Sequence, residues 1–507
     1  MLNVVLPVPP LAEKNETTII TQSLLRHKCK HIFYNKQNYF CDIWFTALCN
    51  TMKSDLSHFV IRKTTEYRTF LKKNCYLCRS LDAFAMDLYE IVRILTDQKK
   101  ELEKIDINTL CPRREERQFE LDSPLAQVVI GVRRSGKSML CLKALVQSGK
   151  KFGYVDFDDE NLEGLERKDL NTVLEAAYMV YGDFEYLFLD EVQNVTGWHL
   201  FVNRLLRKKM HIVLTGSNAK LLSSDLATHL TGRYNEITLF PFSFAEYCWM
   251  KGLDPKDLST KTQAFIKVAF DEYLRKGGFP ETFNMDNQRG YVTSLMDAII
   301  KKDIAKRYRI RYVDALRKMA NYLADNFCSE VVMTKLADLF GFGSDHTAEN
   351  YYSYLKQAFL FQGLNKYSFK SAERIRGEKA YLVDVAFQSD RETLTSENLG
   401  FRMENIVYIE LLRRYKKDNV DVYFHKDGYE VDFVVVEKTR ILEMIQVTYK
   451  MDSTKTRTRE LGGLAKAYAQ FGCKNLMLIS LNERGTEIYN NIPIKMVTIV
   501  DWLLGNI

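Results

Sequence analysis

The run Gly131-Val132-Arg133-Arg134-Ser135-Gly136-Lys137-Ser138, directly behind the apolar Val128-Val129-Ile130, restricts what this chain can fold into more than any other stretch. Its spacing, G-x-x-x-x-G-K-[ST], is that of a phosphate-cradling loop between a strand and a helix. Glycines let consecutive backbone N–H groups turn inward around a polyanion without a Cβ in the way, and the following helix adds its positive N-terminal end. Lys137 is placed to reach the β and γ phosphates as a point charge, and the Ser138 hydroxyl to ligate a bridging Mg²⁺. Gly131, Arg133, Arg134, Ser135, Gly136, Lys137, Ser138 and Met139 are therefore the expected nucleotide contacts, with ATP and Mg²⁺ as the expected ligands.

From Pro124 onward, short apolar runs alternate with helical segments, the pattern of a parallel sheet with crossover helices. Strands are expected at 128–130, 152–157, 186–189, 212–215 and 236–239. The third runs into Asp190-Glu191, 52 residues after Ser138. Phosphoryl transfer asks for such a pair: one carboxylate at a strand end for the Mg²⁺ shell, Asp190, and a second to orient or deprotonate the attacking water, Glu191. The fourth strand ends at Ser217 and Asn218, on the sheet edge where ligands gather. Asn218 is the candidate to sense the γ phosphate or hold the water; an ordinary Gly-Ser-Asn turn is the alternative. Arg233, between a helix and the last strand, is the candidate finger toward a neighbouring subunit's γ phosphate in a homo-oligomer. A surface arginine is its competing reading.

Taken together, GVRRSGKS (131–138), LFLDEVQNVTGW (187–198), LTGSNAKLL (214–222), LTGRY (230–234), PFSFAEY (241–247) and GGFPE (277–281) resemble the archaeal and bacterial AAA-type ATPases that carry a C-terminal nuclease-like domain. The resemblance runs from about residue 124 to the end and implies an AAA-type core at 121–250, with a small helical lid at 251–285. For residues 286–395 the periodicity around Met333–Phe340, a Gly-Phe-Gly turn and a helix near 346–359 read as a winged helix-turn-helix, which the resemblance also implies. Asp345 and Glu349 open the presumed recognition helix and should repel phosphate, so Lys366, Lys370, Arg374, Arg376 and Lys379 of the wing are the expected DNA contacts. Lys301 to Lys318 holds eight Lys or Arg against two Asp, either a phosphate-tracking run or a solvated helix face.

From about residue 396, Glu404 on an amphipathic stretch, Asp432 in an apolar strand and Gln446-Val447-Thr448 in the next resemble the PD-(D/E)XK nuclease core. That core uses a helix Glu, a strand Asp and an E-x-K pair to hold Mg²⁺ and activate water. Gln446 stands at the acidic position and Thr448 at the lysine position, and Lys450, two residues on, is the candidate substitute by strand periodicity. The expected fold class is thus α/β: a P-loop AAA-type core with helical lid, a winged helix-turn-helix and a C-terminal restriction-endonuclease-like domain. A mostly helical N-terminal extension is expected over 1–120.

Composition narrows the rest. With 46% hydrophobic and 27% charged residues the chain is globular, and no apolar run is long enough to span a bilayer, so a cytoplasmic protein is expected. Ten scattered cysteines fit reduced thiols. Cys75-x-x-Cys78 and the neighbouring His27, Cys29 and His31 have ligand-like spacing, but no second pair stands at finger spacing, which favours a helical extension without zinc. A net charge of +7 is too mild to establish nucleic-acid binding by itself. The leading reading is an ATPase coupled to DNA, with an ATP-regulated protein-interaction switch and an ATP-dependent nuclease as alternatives.

Overall fold

A computed structural model describes residues 86–218, 230, 232–368, 377–388, 396–415 and 419–506. The cysteine and histidine candidates before residue 86, and Lys370, Arg374 and Arg376, lie outside the described residues.

The first layer is built on five parallel strands, β1 (Ala126–Ile130), β2 (Phe152–Asp156), β3 (Tyr186–Asp190), β4 (His211–Gly216) and β5 (Tyr234–Thr238). They are ordered β2-β3-β4-β1-β5. β1 and β3 are buried along their whole length and almost wholly apolar, as a parallel sheet covered on both faces requires. Helices α1 (Leu88–Leu102), α2 (Lys137–Gln147), α3 (Leu170–Tyr181) and α4 (Trp198–Arg207) form the crossovers and flanks. α1 lies inside the stretch expected to be a helical extension, one reading of which is that it packs on the ATPase core, and it does pack on α3 and β2. Its buried Ile91, Ile94, Leu95 and Gln98 recur at helical spacing on one face. The register aligns the sheet's carboxyl ends: Ile130 is level with Gly216, and Asp156 with Asp190. Everything that follows a strand therefore arrives on one edge.

Next come α5 (Phe244–Met250), started by a Ser243–Glu246 capping box, and α6 (Thr260–Lys276). After Gly277-Gly278-Phe279-Pro280, α7 (Gln288–Ala298) runs without a break into a π-helical segment, Ile299–Lys306. In the basic run most cations face solvent, with Lys301, Lys302, Lys306, Arg309, Arg311 and Lys318 exposed, as a solvated face requires, while Asp303, Ile304 and Ala305 are buried. Then follow α8 (Val313–Asp325), β6 (Ser329–Glu330), α9 (Met333–Phe340), α10 (Asp345–Gln357), β7 (Phe361–Asn365) and β8 (Glu378–Leu382). The three strands form an antiparallel sheet ordered β6-β8-β7. Tyr367 falls just beyond β7 and instead donates its backbone N–H to Phe424.

The last part begins with α11 (Ser396–Tyr415), followed by the antiparallel meander β9 (Val420–Lys426), β10 (Glu430–Glu437) and β11 (Arg440–Val447). After α12 (Thr454–Phe471), β12 (Leu476–Ser480) pairs parallel to β11, and β13 (Gly485–Tyr489), β14 (Ile492–Thr498) and α13 (Ile499–Leu504) complete the sheet. Buried arginines tie the parts together by donating to backbone carbonyls that lack a helical partner. Arg402 reaches Leu274 and Arg275 at the end of α6, and Arg413 reaches Pro241. Among the described residues, no helix is long and apolar enough to cross a membrane.

Candidate functional site

The loop between β1 and α2 is shaped by two glycines. A Cβ on Gly131 would stand 2.1 Å from the Leu239 carbonyl oxygen, and Gly136, at φ 94°, is the residue that opens α2. Lys137 is buried at the start of that helix, its Nζ donating to the Val132 carbonyl at 3.2 Å and standing 3.3 Å from Glu191 Oε1. Ser138 and Met139 follow, half-buried on α2. Asp190 is the last residue of β3, and Glu191, next to it, takes a left-handed φ of 49°.

What holds that strained backbone is β4. Thr215 Oγ1 accepts the Glu191 N–H at 2.9 Å and donates its proton to Asp190; the Ser217 N–H donates to Glu191 Oε2 at 3.2 Å. Gln193 also donates to Glu191, and Tyr154 to Asp190. One threonine on the neighbouring strand thus sets both acids.

Their charges are driven apart. Burial, with Glu191 beside it, lifts the Asp190 carboxyl above the ordinary range, against Thr215, Ser138 and Lys137. Burial also pushes Glu191 up, but Lys137 and Arg133 outweigh it and leave Glu191 below the usual value, hence ionised. Asp156, level with Asp190 on β2, is raised to about 7 by burial and by Asp190. Adjacent carboxyls of unequal acidity are the arrangement that acid–base work needs.

The residues fit a nucleoside triphosphate with Mg²⁺. Buried hydroxyls of Ser135 and Ser217 have no hydrogen-bond partner among the described residues, and Lys137 supplies a cation 3.3 Å from Glu191. Ser138 and Asp190 offer the hard oxygens that Mg²⁺ takes. Among the described residues no three His, Cys, Asp or Glu side chains are grouped to hold a metal alone. Mg²⁺ held by Ser138 and Asp190 would supply charge neutralisation to the phosphates.

Other expected residues land differently. Arg133 is bonded to Asp158 at 2.8 Å and to Asp303 at 3.2 Å, and Arg134 to Glu281 at 2.8 Å. Asn218 is fully buried and donates to the Tyr308 hydroxyl at 3.4 Å. Arg233 is exposed and donates to Asn203 Oδ1 at 3.2 Å. Asp303, Arg307 and Tyr308 were hidden in the basic run, where an acid among cations at its start, beside the apolar Ile299, Ile300 and Ile304, was the available signal. Arg307 has a buried Nη1 with no partner among the described residues. Burial lowers its pKa against the pull of Asp303, Tyr308 and Glu191.

A second constellation lies in an open cavity of ≈ 1360 Å³ between β6, β8 and the C-terminal sheet. Glu404, on α11, accepts from Tyr381 at 2.6 Å, and Asp432, on β10, accepts the Val447 N–H at 2.8 Å. Gln446, on β11, donates to Glu460 of α12 at 2.7 Å, so a carboxylate from the helix stands behind the amide where the strand lacks one. Lys450 lines the cavity but lies over the Tyr449 ring. The lysine among the acids is Lys379 of β8, 2.8 Å from Glu430 and 3.4 Å from Glu404. At 4% exposure it is not the free wing cation expected for DNA contact. It comes from another sheet, which no strand periodicity could indicate. Asp432 is held well above the carboxylate range by burial and by Glu404, with Lys379 pulling it back.

Comparison with known proteins adds the following. A family profile described as an AAA domain matches residues 123–248, and two described as domains of unknown function, DUF8612 and DUF4143, match residues 267–395 and 399–499. An uncharacterized protein of Methanocaldococcus jannaschii is 32% identical over 373 residues, 71% of this chain and 83% of its own. An uncharacterized protein of Haemophilus influenzae is 30% identical over 398 residues, 76% of this chain and 95% of its own. Among solved structures, AMPPCP-bound DnaA from Aquifex aeolicus is similar at 16% identity, covering 48% of this chain and 85% of that chain, with a TM-score of 0.23. The AAA-domain match over residues 123–248, together with the five-stranded parallel sheet and its phosphate loop, shows an AAA-type P-loop core of α/β class.

Proposed function

We propose that this chain, which belongs to the same protein family as the Methanocaldococcus jannaschii and Haemophilus influenzae relatives, is an ATPase whose nucleotide state controls DNA binding by its middle and C-terminal parts. The observation that carries the reading is the Arg133–Asp303 pair: a side chain of the phosphate loop is bonded to the segment leading into α8–α10. A change at the loop is felt at once in the neighbouring unit.

In this reading Lys137, Ser135 and Ser217 face the phosphates. Glu191, kept ionised by Lys137 and Arg133, takes the proton of the water that attacks the γ phosphorus, while the oxygen of the departing diphosphate carries away the bonding pair. Asn218 holds that water, and Arg233, exposed and bonded to Asn203, would have to exchange that partner to serve a neighbouring subunit.

The order α8-β6-α9-α10-β7-β8 with its small antiparallel sheet supports a winged helix-turn-helix. The order α11, meander, α12 and parallel β12, with Glu404 on the helix and Asp432 on the second strand, supports a PD-(D/E)XK-like domain. The wing is a weaker DNA contact than its composition implies, since Lys379 is committed to the acids. Cavity-lining Lys450, Lys466 and Arg459 are the better candidates. Lys379 beside Glu404 and Asp432 also favours, as the second reading, a nuclease whose lysine comes from β8.

The test is salt-dependent DNA binding by the full chain with and without a non-hydrolysable ATP analogue, together with phosphate release. Binding that weakens steeply with salt and shifts with the analogue is expected. No binding at low salt by an active ATPase would replace DNA with a protein partner.

A further inference from the structure

Asn218 is linked to α10 by a chain of hydrogen bonds whose polarity is defined. Its Nδ2 donates to the Tyr308 hydroxyl at 3.4 Å, and that hydroxyl donates to Gln357 Oε1, at the end of α10, at 2.5 Å. Gln357 Nε2 in turn donates to Ser353 Oγ at 2.9 Å. A phenol has one proton. Committed to Gln357, it leaves the Tyr308 oxygen an acceptor, and this orients the Asn218 amide nitrogen toward Tyr308 and its Oδ1 away. Burial raises the Tyr308 pKa, so the proton remains on the phenol at neutral pH.

The ring itself is clamped, stacked on Tyr354 of α10 at 3.9 Å and 9°. The preceding segment is pinned to the nucleotide-binding core by Asp303 on Arg133 and by Lys306 on Glu163, at 2.5 Å. Its π-helical winding is wider than an α-helix and so turns the side chains that follow by a different angle, and Tyr308, two residues beyond it, meets Asn218. Such turns are rare, and an eight-residue one ends here two residues before Tyr308.

We propose that Tyr308 is a positioning residue for ATP hydrolysis, placing the Asn218 amide, and that Gln357 sets Tyr308, so that a displacement of α10 by a bound partner is read as a change in kcat. The proposal rests on the reading of Asn218 as the water-holding residue. It goes beyond that reading by naming how the middle unit controls the site.

The experiment is steady-state ATP hydrolysis by the full chain and its Tyr308→Phe, Gln357→Ala, Gln357→Glu and Tyr308→Phe/Gln357→Ala variants. Phe keeps the stack and removes only the hydroxyl. Loss of one partly buried hydrogen bond predicts kcat lower by roughly tenfold in Tyr308→Phe and Gln357→Ala, with KM for ATP changed by less than about twofold. The double variant should be no slower than the slower single, because both break one chain. Gln357→Glu, which keeps an acceptor, should restore most of the rate. Wild-type kcat in Tyr308→Phe, a multiplicative double variant, or Gln357→Glu as slow as Gln357→Ala would each overturn the proposal and leave the ATPase reading standing. Wild-type rates in Asn218→Ala would overturn the role of Asn218 and this proposal with it. An inactive wild-type protein would overturn the ATPase reading itself.

Discussion

Lys379→Met keeps the apolar stem and removes the ammonium, and its cost can be worked from the contacts. The ammonium is 3.4 Å from Glu404, whose side chain is 10% exposed, and 2.8 Å from Glu430, whose side chain is 41% exposed. Water takes over most of the Glu430 share, so that pair counts for little. At the effective dielectric of a buried site, a pair at the Glu404 distance is worth ~5 kcal/mol, and removing one partner of a buried pair typically costs ~3–5 kcal/mol. A loss of about 3 kcal/mol is expected for the variant, part of the attraction being offset by the ammonium's own desolvation. The loss depends on pH. Asp432 titrates above its unfolded value because of burial and Glu404, and Lys379 partly offsets this. Without Lys379 the folded pKa of Asp432 rises further. A carboxyl with a raised folded pKa contributes stability that is fully present below its unfolded pKa and lost as pH rises through the folded one. The deficit of Lys379→Met should therefore be small near about pH 4 and grow above the ordinary carboxylate range toward about pH 8. Urea denaturation of the full chain at both pH values, followed by near-UV circular dichroism, reads it out. A variant as stable as wild type near pH 8, or a deficit equal at both values, would refute the account of Lys379 as the counter-charge of that cavity.

Further expectations concern the nucleotide site. Glu191→Gln should retain ATP binding while phosphate release falls by at least ~10²-fold, whereas Lys137→Ala should lose both. Full phosphate release in either variant contradicts the roles given to them. Arg307→Ala should raise KM for ATP by roughly tenfold through loss of a buried donor, and an unchanged KM would place Arg307 outside the phosphate environment. Arg233→Ala should abolish any rise of specific activity with protein concentration while sparing the rate in dilute solution; the same concentration dependence in both proteins removes it as a finger acting in trans. Asp156, raised to about 7 by burial and Asp190, contributes stability that is present below the ordinary carboxylate pKa and lost as pH rises through about 7. Asp156→Asn should flatten that fall in stability over the same window, and an unaltered pH profile would show that Asp156 does not cause it.

The phosphate loop, the strand ending in Asp190-Glu191 and the Gly-Ser-Asn end of β4 were legible because each is a contiguous stretch whose chemistry is local. A glycine that opens a helix in the left-handed region, a lysine at that helix start and two acids after an apolar strand carry their reasons within a few residues. The same holds for the alternation of strands and helices in the core. Helix boundaries were less exact: α1 is a helix of the expected extension that packs on the core, and its place there, through Ile91, Ile94 and Leu95, shows only against α3. The Lys301–Lys318 run was legible as a solvated cationic face but hid Asp303, since charge counted along a chain does not say which side chains a π-helical turn brings inward.

What the sequence alone determined is thus the kind of ligand site this chain carries and the α/β core that supports it. What the tertiary structure decided is who meets whom across that site. Arg133 and Asp303 are 170 positions apart, Asn218 and Tyr308 are 90 apart, and Tyr308 reaches Gln357 across a further 49. Lys379 supplies a charge that Thr448 and Lys450, on the strand side of the cavity, do not. Pairings of this kind depend on the packing of separate elements around shared cores, where burial selects a partner by distance and desolvation rather than by order in the chain.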